Sequence, residues 1–189
     1  MKRRWPILIC AAVLLGGAAL VGCGLFPLAK AWAAQLLLEA AWQKVLTGHD
    51  PAAPWPWADF RPVAALALPE RGYRVIVVTG ASGSSLAFAP GLLDGTARPG
   101  EQGNSVIFGH RDTHFAVLEF ISAGEKIVVT DARGTKTYYR VFETRVIRKD
   151  DRWILRPCRE SRLTLITCHP FGPAGPDSER FVVLAEAIP

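Results

Sequence analysis

The chain has 189 residues, half of them hydrophobic, and carries 22 basic against 17 acidic side chains for a formal charge of +5; this length holds one globular domain with an accessory segment and excludes a second large domain. Four of the basic residues, Lys2, Arg3, Arg4 and Lys30, fall in the first 30 positions, where no acidic residue occurs, and the remainder is close to neutral at 18 against 17. A body without a clustered basic face cannot neutralise a row of phosphates, so nucleic acid is excluded as a partner class.

Residues 1–30 read as a membrane anchor. Lys2, Arg3 and Arg4 precede an uncharged, largely apolar run from Trp5 to Ala29, and roughly 20 such residues span a bilayer core as helix. Basic flanks stay on the cytoplasmic side. The expected topology is therefore a single pass through the cytoplasmic (inner) membrane, with the body on the periplasmic, extracytoplasmic side. A cleaved signal peptide needs a small-x-small site followed by a polar mature start, and none stands out after the run. The competing reading is Leu20-Val21-Gly22-Cys23 as a lipoprotein processing site, with lipid on Cys23 in place of the helix. Either version tethers the body to membrane lipid.

Residues 31–69 form a membrane-proximal segment. Ala31 to Leu46 reads as a helix whose Trp32 and Trp42 suit the headgroup level. Prolines at 51, 54, 56, 62 and 69 exclude regular helix and make an extended lead-in, with Trp55 and Trp57 packed on the body. Residues 70–189 are the folded domain. From Tyr73 the pattern becomes short β-branched runs between turn residues: Arg74 to Val78, Ser105 to Phe108, Lys126 to Thr130, Lys136 to Ile147, Arg162 to Thr167 and Phe181 to Ala185. This predicts an all-β barrel or sandwich. Asp131-Ala132-Arg133-Gly134 is a hairpin turn. Asp112 or Thr113 caps a short helical stretch carrying Phe115, Leu118 and Phe120.

The chemistry-bearing residues gather at strand ends. In Arg162-Leu163-Thr164-Leu165-Ile166-Thr167-Cys168 the alternation sets Leu163 and Leu165 on one face and Thr164, Ile166 and Cys168 on the other. Pro170 then ends the ladder. Twelve residues after Cys168, Arg180 opens the next strand, and a hairpin returns its guanidinium toward the sulfur. A separate run from Ser105 to Phe108 ends in Gly109-His110. A Cys, a His and an Arg at three strand ends make a thiol-catalysis constellation, with His114 and His169 as alternative bases. The bland alternative is a Cys158–Cys168 disulfide in an oxidising compartment. No C-x-x-C pair suggests zinc, no carboxylate cluster suggests calcium, and no cofactor is expected.

The words around these residues carry a resemblance. Leu163-Thr164-Leu165-Ile166-Thr167-Cys168 resembles the sortase nucleophile motif, a strand ending in T-L-x-T-C, and Gly109-His110-Arg111-Asp112 resembles the family's G-H-R-D segment. Gly95 to Asn104 is similar to the loop before the sortase histidine strand, and Arg180-Phe181-Val182-Val183 to the strand its arginine opens. The anchor followed by Lys30-Ala31-Trp32 and Leu36-Leu37-Leu38-Glu39 resembles the Gram-negative (proteobacterial) class. The resemblance implies an eight-stranded sortase barrel with short helices behind an N-terminal transmembrane helix. It also implies cleavage of an L-P-x-T-G-like C-terminal sorting signal on a secreted protein, between Thr and Gly, with transfer to an amine acceptor that the sequence does not identify. His169 departs from the aromatic that many relatives carry after the nucleophile, and Leu92 follows Pro90-Gly91 where several have His.

The roles follow from chemistry. Cys168 is the nucleophile, and its thiolate is favoured by cationic neighbours. His110 donates a proton to the leaving amine and later accepts one. Arg180 offers N–H donors to the oxyanion. Thr167, Ile166, Arg111 and His169 are expected to line the substrate site. The alternatives are a membrane-tethered thiol hydrolase and a non-catalytic barrel serving as a binding module. The L,D-transpeptidases are disfavoured because no S-H-G-C-type segment is found.

Overall fold

The computed structural model describes residues 5–172 and 178–189; Lys2, Arg3, Arg4 and Pro173 lie outside them. Helix α1 runs without interruption from Trp5 to Leu46. The chain divides into two units, residues 1–36 and 37–189. In the first, Leu8, Leu14, Leu20 and Phe26 are all exposed, and the helix is long and apolar enough to cross a membrane.

The second unit is a closed barrel. Its strands are β1 Pro62–Leu68, β2 Tyr73–Thr79, β3 Gly91–Leu92, β4 Gly103–Phe108, β5 Lys126–Asp131, β6 Lys136–Arg148, β7 Ser161–His169 and β8 Glu179–Ile188. They follow the order β1-β2-β3-β4-β7-β8-β6-β5, with β5 pairing back to β1. The β2–β3 and β4–β7 pairs are parallel and the others antiparallel. A short helix α2, Gly83–Leu86, lies between β2 and β3. The Asp131 hairpin forms as expected: its Oδ1 accepts the Arg133 and Thr135 N–H groups at 2.8 Å each, and Gly134 supplies a φ of 79°.

The barrel lumen is filled by Leu66, Val77, Ile107, Phe115, Leu118, Ile127, Tyr139, Leu163, Leu165 and Val183, all fully or almost fully buried. A second cluster, Val106, Ile147, Ile154, Ile166, Val182 and Leu184, covers the outer face of β4, β6, β7 and β8. Ile147 reaches that face because a bulge between Val141 and Glu143 reverses the alternation of β6. Without it, Ile147 would share the lumen with Tyr139 and Val141.

Three expectations are corrected. The first strand begins at Pro62, inside the stretch read as lead-in; β1 is buried on both faces, so Val63 to Leu68 shows no alternation to read. Its outer face is covered by α1, where Trp42 and Val45 pack on Ala65 and Ile76. Trp42 is accordingly 1 % exposed and is no headgroup anchor. Finally, Trp55 does pack on the body, edge-on to Phe60 and Phe88, whereas Trp57 is 83 % exposed.

Candidate active site

The ladder around β7 assembles the predicted constellation. Leu163 and Leu165 face the lumen and Ile166 the outer cluster, so alternation turns Cys168 to the outer face. In the antiparallel β7–β8 pair, Cys168 is directly opposite Arg180, their Cα atoms about 5 Å apart by the geometry of such pairs. One strand further, Ile147 is opposite Arg180. On the other side of β7, Phe108 of β4 pairs with Ile166, and the Gly109 N–H donates to the Ile166 carbonyl at 3.1 Å. His110, two residues beyond Phe108, thus emerges beside Cys168. A row His110, Cys168, Arg180, Ile147 runs from the turn after β4 across three strands. His110 is exposed, while Cys168 and Arg180 are half-buried.

The backbone that presents His110 is held from several directions. Thr167 Oγ1 donates to the Gly109 carbonyl at 2.8 Å, and the Phe115 N–H donates to the His110 carbonyl at 2.9 Å. A side chain on Gly109 would sit 2.7 Å from the buried Phe115 ring, so only glycine lets the turn close. The turn continues into a 3-10 helix, Ala116–Phe120, that carries no side-chain cap. Asp112 pairs with Arg111 instead, Oδ1 to Nε at 3.5 Å, which corrects its expected capping role.

The residues expected to line the substrate site take separate positions. Ile166 turns to the outer face with Val182 but is 2 % exposed beneath Ile154. Thr167 faces the lumen, is equally 2 % exposed, and its hydroxyl is spent on Gly109. Arg111 turns away, with Nη1 donating to the Pro170 carbonyl at 2.8 Å, so it ties the His110 turn to the loop after Cys168. His169 alternates to the face opposite Cys168, where Nδ1 meets Glu179 Oε2 at 3.1 Å and the ring stacks on Phe181. His114 is half-buried beside His110; burial, and then the charge of His110, hold its pKa below the usual histidine value.

Cys158 and Cys168 are not disulfide-bonded. Cys158 precedes the nine-residue strand that Cys168 nearly ends, so on the order of 20 Å of chain rise at about 3.3 Å per residue separates them, far beyond disulfide reach. A cavity of about 420 Å³, lined by Pro62, Thr79, Arg98, Asp131 and others, opens at the other barrel end and takes no part in the constellation. The sequence reading missed Asn104, which bridges β4, β7 and the segment between β6 and β7. A polar amide within an otherwise apolar outward face was the available signal.

The sortase domain family model matches residues 66–188, spanning all of the barrel from within β1 to the end of β8. The chain belongs to the sortase family. Among curated relatives, sortase D of Bacillus subtilis (strain 168) is 27 % identical over 124 residues, an alignment covering 65 % of this chain and 62 % of that relative's length. Among solved structures, a Clostridium perfringens sortase D5 transpeptidase superposes with a TM-score of 0.63 at 23 % identity, covering 80 % of this chain and 89 % of that one. Sortase A from Corynebacterium diphtheriae gives 0.63 at 25 %, covering 82 % and 84 %. The eight-stranded closed barrel of this sortase is the architecture those structures share.

Proposed function

We propose that this chain is a cysteine transpeptidase that cleaves an L-P-x-T-G-like sorting signal between Thr and Gly and transfers the acyl group to an amine. The observation that carries this reading is the ladder register pairing Cys168 with Arg180 while His110 emerges alongside from β4. The Cys168 thiolate attacks the threonyl carbonyl carbon, and the guanidinium of Arg180 donates N–H bonds to the oxygen that gains charge. The C–N bond breaks as His110 passes a proton to the glycine nitrogen, leaving a thioester. An amine then attacks the thioester, His110 takes its proton, and the thiolate departs. The donor peptide lies over the segment 153–157, whose Ile154 covers the apolar cluster of Ile166, Val182 and Leu184 next to the nucleophile.

The membrane reading belongs to the same proposal. The apolar helix anchors the chain in the cytoplasmic membrane with the barrel on the extracytoplasmic side, facing secreted substrates that pass through the same bilayer. We assign the chain to the Gram-negative class on the segment that follows the anchor, although the relatives named above are Gram-positive sortases. Neighbouring reading frames test this: a secreted protein ending in a sorting motif, an apolar helix and a basic tail is expected beside the gene. The activity itself is tested with a sorting peptide and an amine. An amine-dependent ligated product supports transfer, and cleavage indifferent to every amine makes the chain a thiol protease.

A further inference from the structure

Asn104 belongs to the outer face of β4, where Val106 and Phe108 are apolar. It is 5 % exposed, and a primary amide is tolerated at such a site only when its donors and acceptor are met. They are. Thr164 Oγ1 of β7 donates to Oδ1 at 2.7 Å, while Nδ2 donates to the carbonyls of Ile154 at 2.9 Å and Arg156 at 3.3 Å. Both carbonyls belong to the segment between β6 and β7. Among the described residues, Asn104 makes the only side-chain hydrogen bonds to the backbone of residues 153–157. That segment seats Ile154 on Ile166, Val182 and Leu184 and buries them, so its own outer surface, over Ile166 and two residues from Cys168 on the same face of β7, forms the wall on that side. Asn104 pairs with Arg162, six residues before Cys168 on β7, and does not reach the reacting atoms.

We propose that Asn104 is a positioning residue for the acyl donor: its amide fixes the 153–157 wall and thereby the affinity for the peptide residues that precede the scissile bond. The inference rests on the reading above that the outer face receives the donor. Loss of the tie acts on binding because the wall meets the peptide in ground state and transition state alike. Thiol reactivity is untouched, since the Cys168–Arg180 register depends on the β7–β8 ladder.

The test uses the full chain in detergent and an L-P-x-T-G-type peptide. Asn104→Asp keeps the acceptor for Thr164 but sets a carboxylate oxygen against two carbonyls. KM is expected to rise about tenfold, the size of one or two lost hydrogen bonds, with kcat within about twofold. Amide hydrogen exchange at 153–157 is expected to accelerate, with the rate of Cys168 alkylation by a small electrophile unchanged. Should Asn104→Asp not fold, Thr164→Val removes the hydroxyl that orients the amide and is read the same way, with a rise of about threefold. Unaltered exchange at 153–157, or faster exchange with unaltered KM, overturns the proposal. So does a fall in kcat and alkylation matching the change in KM. A wild-type chain without any turnover sinks the transpeptidase reading instead, and the exchange measurement alone then decides whether Asn104 holds the wall.

Discussion

Cys168 and Arg180 are cross-strand partners, so each is set by ladder hydrogen bonds rather than by a mobile loop. Cys168→Ala is expected to abolish acyl transfer. Cys158→Ala leaves most of it, because that thiol donates to the Glu160 carbonyl at the far end of β7. His110→Ala is expected to lower kcat/KM by about 10²–10⁴, the range of a lost general acid–base, while His114→Ala and His169→Ala stay within about tenfold. Full turnover in His110→Ala moves the proton-transfer role to another imidazole. His114 also links stability to pH. Its folded-state pKa is depressed by burial first and His110 second, so on acidification below about pH 6.5 the unfolded chain takes up a proton that the folded chain refuses. Stability therefore falls with acid, and His114→Gln is expected to flatten part of that dependence in denaturant titrations. Tyr73 gives the alkaline counterpart. Burial raises its pKa to about 12, and the unfolded phenol ionises near about 10, so stability is complete below pH 10 and declines as pH rises toward 12. A Tyr73→Phe chain that keeps the same alkaline decline contradicts this assignment.

At the level of elements, one connection ties the candidate site together beyond the sheet and a second braces the barrel wall away from it. Arg111 joins the His110 turn to Pro170; Arg111→Ala is expected to lower kcat more than it raises KM, since what loosens is the approach of imidazole to thiol rather than a peptide contact. The reverse split points to direct substrate binding. The second connection is the end of α1, where Leu38, Trp42 and Val45 bury against β1 and β2. Trp42→Ala is expected to cost about 3–5 kcal/mol, and a fragment beginning at residue 50 to melt well below one beginning at residue 37. Equal melting of the two fragments contradicts the packing role. These elements also mark what the sequence made legible. β7 and β8 are buried on both faces through their middles, and were readable from their β-branched runs and from Thr167-Cys168 at the end of one and Arg180 at the start of the other. β1 is buried in the same way but is rich in alanine and opens on a proline, so it carried no such signal. The outward turn of Ile147 depends on a bulge with no local signal, and the diversion of Thr167, Arg111 and His169 onto backbone and carboxylate partners depends on neighbours distant in sequence. Residue type pointed to the proposed trio, but it could not say which polar groups around it were already engaged.

At the scale of the whole molecule, a helix long and apolar enough to cross a membrane and a sortase barrel in one chain suit the proposed chemistry on substrates delivered at the same surface. A reporter fused after Pro189 is expected to function only outside the cytoplasm, and a mature chain that begins with lipidated Cys23 would replace the helical anchor. The central claim is acyl transfer through a Cys168 thioester, and one measurement meets it most directly. The detergent-solubilised chain and its Cys168→Ala variant are incubated with an L-P-x-T-G-type peptide, with and without a series of amines, and both protein and products are followed by mass spectrometry. The expected result is an acyl adduct on Cys168 that is discharged by amine into a ligated peptide, with neither species in the variant. Peptide cleavage that persists in Cys168→Ala, or whose products ignore every amine supplied, contradicts the account.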